Sequence, residues 1–358
     1  MLVNEVIDSR SIALAATSEA SNDIPYMGLA FFPEEKKTGL DLKWIKTHKG
    51  LAVSLAPSNF DALPTIRGRE GIKIERSQMA FFRESMPIKE EDANDIDRIK
   101  DANDPYLEGA LKSVYNDTNT LLRGAEVVPE RMRMQLLATV DGHPVIGIES
   151  QGVKYAYDYD PTGEYASKHY MKLTSSTDQW TDTTNSTPIT DLINARKALM
   201  KLGKMPKYAL MTSTTLGYLL DNAQVRNAIL AQNSTANIIV DEETVFAIIK
   251  RKCKLDILVY DKLFVDEAGT EQQFYPDNKV TLLPENAVGK TWFGDTPEMR
   301  TARQVADVDV TIYGVGISVA VKTEYGPPAI TTTTASEVVL PSYEGMDSTY
   351  VLEVAGDF

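Results

Sequence analysis

The stretch APSNFDALPTIRGREGIKIERSQMAFFRES, Ala56 to Ser85, most constrains what this chain can fold into. It lacks helical periodicity and carries two prolines, two glycines and a mixed-sign charge series: Arg67, Arg69, Glu70, Lys73, Glu75 and Arg76. A segment this long without a helix is either a long hairpin or a disordered lid. Ile72, Ile74, Met79, Phe81 and Phe82 favour ordered strands. The apolar content is too low for a core of its own. The simplest physical account is an extended hairpin, residues 46–88, that finds its packing on another chain.

The flanking segments read differently. Residues 1–45 form an arm, with one strand expected near Leu29–Phe32 and ended by Pro33. Leu40 to Leu55 alternates apolar and polar residues, the period of a strand. After the hairpin, Asp104 and Pro105 supply an N-cap and a first helical residue. Leu107, Ala110, Leu111, Val114, Tyr115, Thr118, Leu121 and Leu122 then share one helical face. Gly124 is expected to end or bend this helix, and Pro129 to Ala138 to resume it. The whole is about thirty residues, or about 45 Å. Its period is too short-lived for a coiled coil.

From residue 139 the period changes to that of strands. Ile146 and Ile148, then Val153, Tyr155 and Tyr157, predict two strands joined at Gln151-Gly152. A polar loop, Ser175–Thr187, precedes a helix that starts at Pro188 and closes at Gly203. Next come a buried strand (YALMTS), a helix (TTLGYLLDNAQVRNAILA) and a helix near Asp241–Lys250. A strand (KLDILVY) and a hairpin turning at Ala268-Gly269 follow. Residues 160–298 thus read as a compact mixed domain, and 89–159 as a second region around the long helix. The alternating tail, 299–358, is expected to complete sheets begun earlier. The fold class is α+β.

The chemical inventory is thin. The chain has 358 residues, 43% hydrophobic and 25% charged, and a formal net charge of −14. That charge opposes non-specific adhesion to nucleic acid and to anionic lipid. No apolar window is long enough to span a membrane, and MLVNEVIDSR is unlike a signal peptide. The single cysteine, Cys253, fits a reducing compartment and reads as structural despite Lys252 and Lys254. His48, His143 and His169 stand apart, and Asp158 with Asp160 reads as a solvated strand end. No catalytic, metal or cofactor constellation emerges.

One motif nearly matches a phosphate-binding loop, G-x-x-x-x-G-K-[ST]. Pro284 to Thr291 reads P-E-N-A-V-G-K-T. Proline cannot supply the first turn or its N–H, and Gly294 and Pro297 interrupt the helix that should follow. The expectation is a strand over Lys279–Leu283, a polar connection, and a second strand around Thr291–Phe293.

Four phrases carry a family resemblance: GLAVSLAPSNFDALPTIRGREGI (Gly50–Ile72), GAEVVPERMRMQLLATV (Gly124–Val140), ILVYDKLFVDEAGTEQQFYPDNKVTLLP (Ile257–Pro284) and VGKTWFGDTPE (Val288–Glu298). With the order of elements, they resemble the lambda-like major capsid protein E family of tailed bacteriophages. In that family Pro284 regularly ends its strand and the GKT opens a turn. The resemblance implies the fold named for phage Hong Kong 97: an N-arm, an extended loop, a peripheral domain with a long spine helix, and an axial domain. Ala56–Ser85 matches the loop, Asp104–Ala138 the spine helix, and residues 160–298 the axial domain.

The resemblance also implies a function: a non-enzymatic head protein that assembles with itself into hexamers and pentamers of an icosahedral shell around double-stranded DNA. Assembly would take place in the bacterial host cytoplasm, with a separate scaffolding protein and a portal protein, and is compatible with a decoration protein. DNA would be met by proximity only, and no membrane is involved. Inter-subunit contacts are expected from Arg67, Arg69, Glu70, Ile72, Lys73, Ile74, Arg76 and Phe81 of the loop. An encapsulin-like compartment and a P-loop enzyme are the alternatives.

Overall fold

A computed structural model describes residues 24–46, 73–88, 106–150, 152–230, 241–304, 309–324 and 330–356. The described residues divide into two compact units, each assembled from separated stretches of chain. The first draws on residues up to 42, on 76–133 and on 290–342; the second on 43–75, 134–289 and 343–358. The expected axial segment, 160–298, therefore contributes 160–289 to the second unit and 290–298 to the first.

The first unit is built on a six-stranded sheet whose central member is the 13-residue strand Ile330–Ser342. One edge of that strand pairs antiparallel with Lys290–Phe293 and, further along, with Ile317–Glu324. Its other edge pairs antiparallel with Ala80–Ile88. Glu34–Lys36 joins Lys290–Phe293 in parallel, and Asp309–Tyr313 extends the sheet beyond Ile317–Glu324. A run of four threonines, Thr331–Thr334, suits such a strand because β-branched side chains pack well on a pleated surface.

Two expectations for the arm and long helix are corrected here. Gly28–Phe31 is a single helical turn, not a strand, and buries Phe31; the adjoining Phe32 is also buried. Tyr106–Ala138 is one uninterrupted helix of 33 residues, with Gly124 and Pro129 inside it. Burial of Leu121, Leu122, Met132, Met134, Leu136 and Leu137 holds it together through those two weak formers. The expected cap, Asp104, and Pro105 lie outside the described residues.

The second unit has a five-stranded mixed sheet. Its order is Tyr170–Lys172, Tyr350–Glu353, Lys279–Leu283, Tyr208–Met211, Asp256–Val259. Helices Pro188–Lys201, Ser213–Asp221, Ala223–Leu230 and Glu242–Cys253 pack with it around Trp180, Leu192, Leu199, Leu216, Leu219, Ile249 and Leu352. The stretch expected as one helix, TTLGYLLDNAQVRNAILA, is two, broken at Asn222. The Asn222 side chain accepts from Gln224 N and donates to Ser186, an N-cap in the middle of the apolar period. The strands around Gly152, Val145–Ser150 and Val153–Asp158, pair as expected, as does the hairpin Leu263–Val265 with Glu271–Gln273.

Candidate functional site: the hairpin strands and a buried ionic cluster

Arg67, Arg69, Glu70 and Ile72, at the far part of the expected loop, lie outside the described residues. Lys73, Ile74 and Arg76 fall on the strand Lys73–Gln78, which pairs with Asp41–Lys46 in a two-stranded sheet. These two strands flank the segment expected as the loop, whose residues 47–72 lie outside the described residues. Phe81 is on the next strand, opposite Val338 of the central strand. It is half-buried, with the Arg83 guanidinium 4.8 Å above its ring. Part of its apolar surface is therefore already used within its own sheet.

The most densely connected polar group of the first unit was not anticipated from sequence. Arg133 of the long helix is buried and donates in three directions. Nη2 reaches Glu34 at 2.7 Å, Nη1 reaches Glu130 at 3.3 Å, and Nε reaches Thr291 Oγ1 at 2.8 Å. Thr291 in turn donates to the carbonyl of Phe32 (3.1 Å), and Glu130 accepts from Gly28 N (2.8 Å). A Cβ on Gly28 would lie 2.6 Å from the Glu130 carboxylate and 2.9 Å from Arg133 Cδ. Only glycine permits that approach. The cluster fastens the segment around Gly28–Lys36 to the helix and to Lys290–Phe293.

Beneath the same helix lies Glu337, 1% exposed, with no hydrogen-bond partner for either carboxylate oxygen. Burial pushes its carboxyl well above the ordinary range; Arg133 opposes this and Glu34 and Glu126 reinforce it.

The loop resembling a phosphate site does no such work. Lys290 Nζ pairs with Glu35 at 2.5 Å and lies 5.5 Å over the Trp292 ring, while Thr291 is held as described. The chain continues as a strand, Lys290–Phe293, where a phosphate loop would run directly into a helix. Cys253 is buried, its Sγ 3.7 Å from the Ile189 carbonyl, and desolvation raises its thiol to about 11, the opposite of an activated nucleophile. Asp160 corrects another expectation. It is buried, not solvated, and accepts from Glu164 N, Tyr165 N and Ala166 N, capping the helix Glu164–His169. Among the described residues no group of three or more His, Cys, Asp or Glu could hold a metal ion. No described helix is long and apolar enough to cross a membrane.

The comparisons with known proteins agree on one fold. A solved structure described as the capsid protein of a prophage of Escherichia coli CFT073 is similar at a TM-score of 0.59. It has 13% identity and 98% of this chain and 99% of that chain are covered. A phage-related protein from Bordetella bronchiseptica RB50 follows with a TM-score of 0.55, 15% identity and 98% of each chain covered. The capsid asymmetric unit of cyanophage A-1(L) gives 0.52, 13% identity and 94% of each chain. No curated protein matches by sequence. The family model for phage major capsid protein E matches residues 11–315. The chain belongs to the phage major capsid protein E family, and is a structural protein of the virion whose copies assemble into the phage head.

Proposed function

We propose that this chain closes into hexamers and pentamers of an icosahedral shell around double-stranded DNA, and that it carries no catalytic activity. The observation that carries the reading is the family match across residues 11–315; the pairing of Asp41–Lys46 with Lys73–Gln78 supports it. A shell needs many modest contacts that close on symmetry axes, not one strong site. The extended loop, residues 46–88, lies over a neighbouring subunit. Arg67, Arg69, Glu70, Lys73 and Arg76 form ion pairs there, while Ile72, Ile74 and Phe81 cover apolar surface. Exposed pairs contribute about 0–1 kcal/mol each, so the charges set register and the apolar residues supply most of the affinity.

Around that shell the reading calls for a separate scaffolding protein and a portal protein, with assembly in the host cytoplasm. It is compatible with a decoration protein. In domain terms, the long helix belongs to a peripheral domain and the five-stranded sheet to an axial one.

Electron microscopy of the protein expressed alone, then with the scaffold gene beside it, tests the proposal. Closed shells or capsomers are expected. A strictly monomeric product in both cases would refute it.

A further inference from the structure

In a strand alternate side chains face opposite sides of the sheet, and paired residues share a side. Glu337 is paired with Phe82, and Pro341, four residues along, is paired with Thr291. Glu34 is in turn opposite Thr291. Glu337, Thr291 and Glu34 therefore share one side of the sheet, the side on which Arg133 bonds both Thr291 and Glu34. Ser336 faces the other way and takes up the remaining nearby charges. Its hydroxyl bonds Glu298, which is paired with Arg83 at 2.6 Å.

Charged groups acting on Glu337 are accordingly few. The helix presents Arg133 and Glu126, and Glu126 accepts from the Tyr313 hydroxyl at 2.9 Å. The strand Glu34–Lys36 presents Glu34. The neighbouring strands bring Phe82 and, next to Val339, Phe293, neither of which can bond a carboxylate. By the same alternation Lys36, opposite Phe293, and Glu84, opposite Ala335, also belong to this side; Lys36 Nζ bonds Met299 Sδ at 3.8 Å and Glu84 is exposed. Within the buried cluster the cation is Arg133, already divided between Glu34 and Glu130. A carboxylate buried without a partner costs several kcal/mol, so it keeps its proton instead.

We propose that Glu337 is held as the neutral acid and serves as a proton-operated latch on the segment around Gly28–Lys36. While Glu337 is neutral, Arg133 stays committed to Glu34 and Glu130 and holds that segment down. When the Glu337 O–H gives its proton to solvent, the new anion competes for Arg133. The hold on Glu34 weakens, and the segment loosens as pH rises. The sign follows from linkage. A carboxyl whose folded pKa is raised contributes fully below its unfolded value, about 4.3, and that contribution is lost as pH rises toward the folded value.

The full-length protein tests this by amide exchange, corrected for intrinsic rates, and by infrared spectroscopy of its carboxyl groups across pH. In the wild type, the closing equilibrium of the Gly28–Lys36 amides should fall by up to about tenfold per pH unit above about 4.3, levelling off once the carboxyl of the closed state ionises. In Glu337→Gln that slope should vanish, together with one protonated-carboxyl band. An unchanged slope in the variant, or a wild type with no such band for the variant to remove, would overturn the latch. Should Glu337→Gln fail to fold, Glu34→Gln decides the matter. Removing that neighbouring charge must move the wild-type transition to lower pH, and an unmoved transition refutes the proposal. Neither readout depends on shell formation, so the latch and the shell can fail separately.

Discussion

The two units bury polar groups in contrasting ways. In the second, buried polarity consists largely of hydroxyls, with Asn222, His169 and one capping carboxylate, and most of it is satisfied within the unit, Thr139 Oγ1 being the hydroxyl without a partner. Thr349 Oγ1 lies 2.9 Å from both the Tyr165 and Tyr343 hydroxyls and donates to the Met346 carbonyl. In the first, a buried arginine and its partner Glu130 tie together segments about a hundred residues and more apart, from Gly28 to Thr291. The first unit is thus registered by charge and the second by apolar packing around Trp180 and Leu352. Paired charges in an interior break badly when one partner goes; packed hydrocarbon degrades in proportion to the volume removed.

Breaking the pin should produce the largest loss. Arg133→Met strands Glu34 and Glu130, with an expected cost of about 3–5 kcal/mol in the first unit. Hydrogen exchange should show that loss in Lys290–Phe293 and leave Tyr208–Met211 unaffected. Trp180→Ala removes a fully buried ring whose Nε1 donates to Asp191 at 3.0 Å, and should cost a similar ~3–5 kcal/mol. Its loss should appear in the second unit. If either variant weakens both units equally, the contrast is wrong.

Gly28→Ala forces a methyl toward the Glu130 carboxylate and should cost about 1–3 kcal/mol, read by denaturant unfolding. Thr212, buried at the N-cap of Ser213–Asp221, accepts from Thr215 N and lies 2.5 Å from Asp277. Thr212→Ala should cost about 1–2 kcal/mol in the second unit.

The pH responses sharpen the comparison further, because their signs are opposite. His169 is buried, stacked 4.9 Å from Tyr165, with Nδ1 3.0 Å from the Thr349 carbonyl, and desolvation depresses its pKa. An imidazole kept neutral by the fold must be charged on acidification, so the second unit should weaken as pH falls below about 6.5. His169→Gln should flatten that dependence. Glu337 gives the first unit a weakness toward rising pH. Exchange followed unit by unit between mildly acidic and alkaline pH should therefore show two slopes of opposite sign; parallel slopes would remove the distinction.

Local signals made much of the architecture legible. The 3.6-residue period before residue 123, the alternation on either side of Gly152 and the turn at Gly269 each mark an element that is present. The errors have physical causes. Phe31 and Phe32 are adjacent and both buried, which neither a clean helix nor a clean strand predicts. Gly124 and Pro129 are weak formers that tertiary packing overrides. Asn222 was readable as a cap, but the apolar period runs through it unbroken.

The ionic cluster left no trace in the pattern. PERMRMQLLA is buried nearly all round, so Arg133 occupies no distinct face. The central strand is covered on both sides from Ala335 to Ser342, which removes the alternation that would have set Glu337 apart. Of the expected contact residues, Lys73, Ile74, Arg76 and Phe81 fall within the described residues. Their chemistry toward a neighbour depends on a partner that no single chain contains.

The interleaving of the two units also has a consequence for biosynthesis. The central strand of one sheet is residues 330–342, and an interior strand of the other is residues 350–353. A ribosome that has made the first three hundred residues has produced every helix described here and most of the buried apolar residues, yet can close neither sheet. Until residues 330–353 have been made, both sheets are left with exposed strand edges, and neither can close before them.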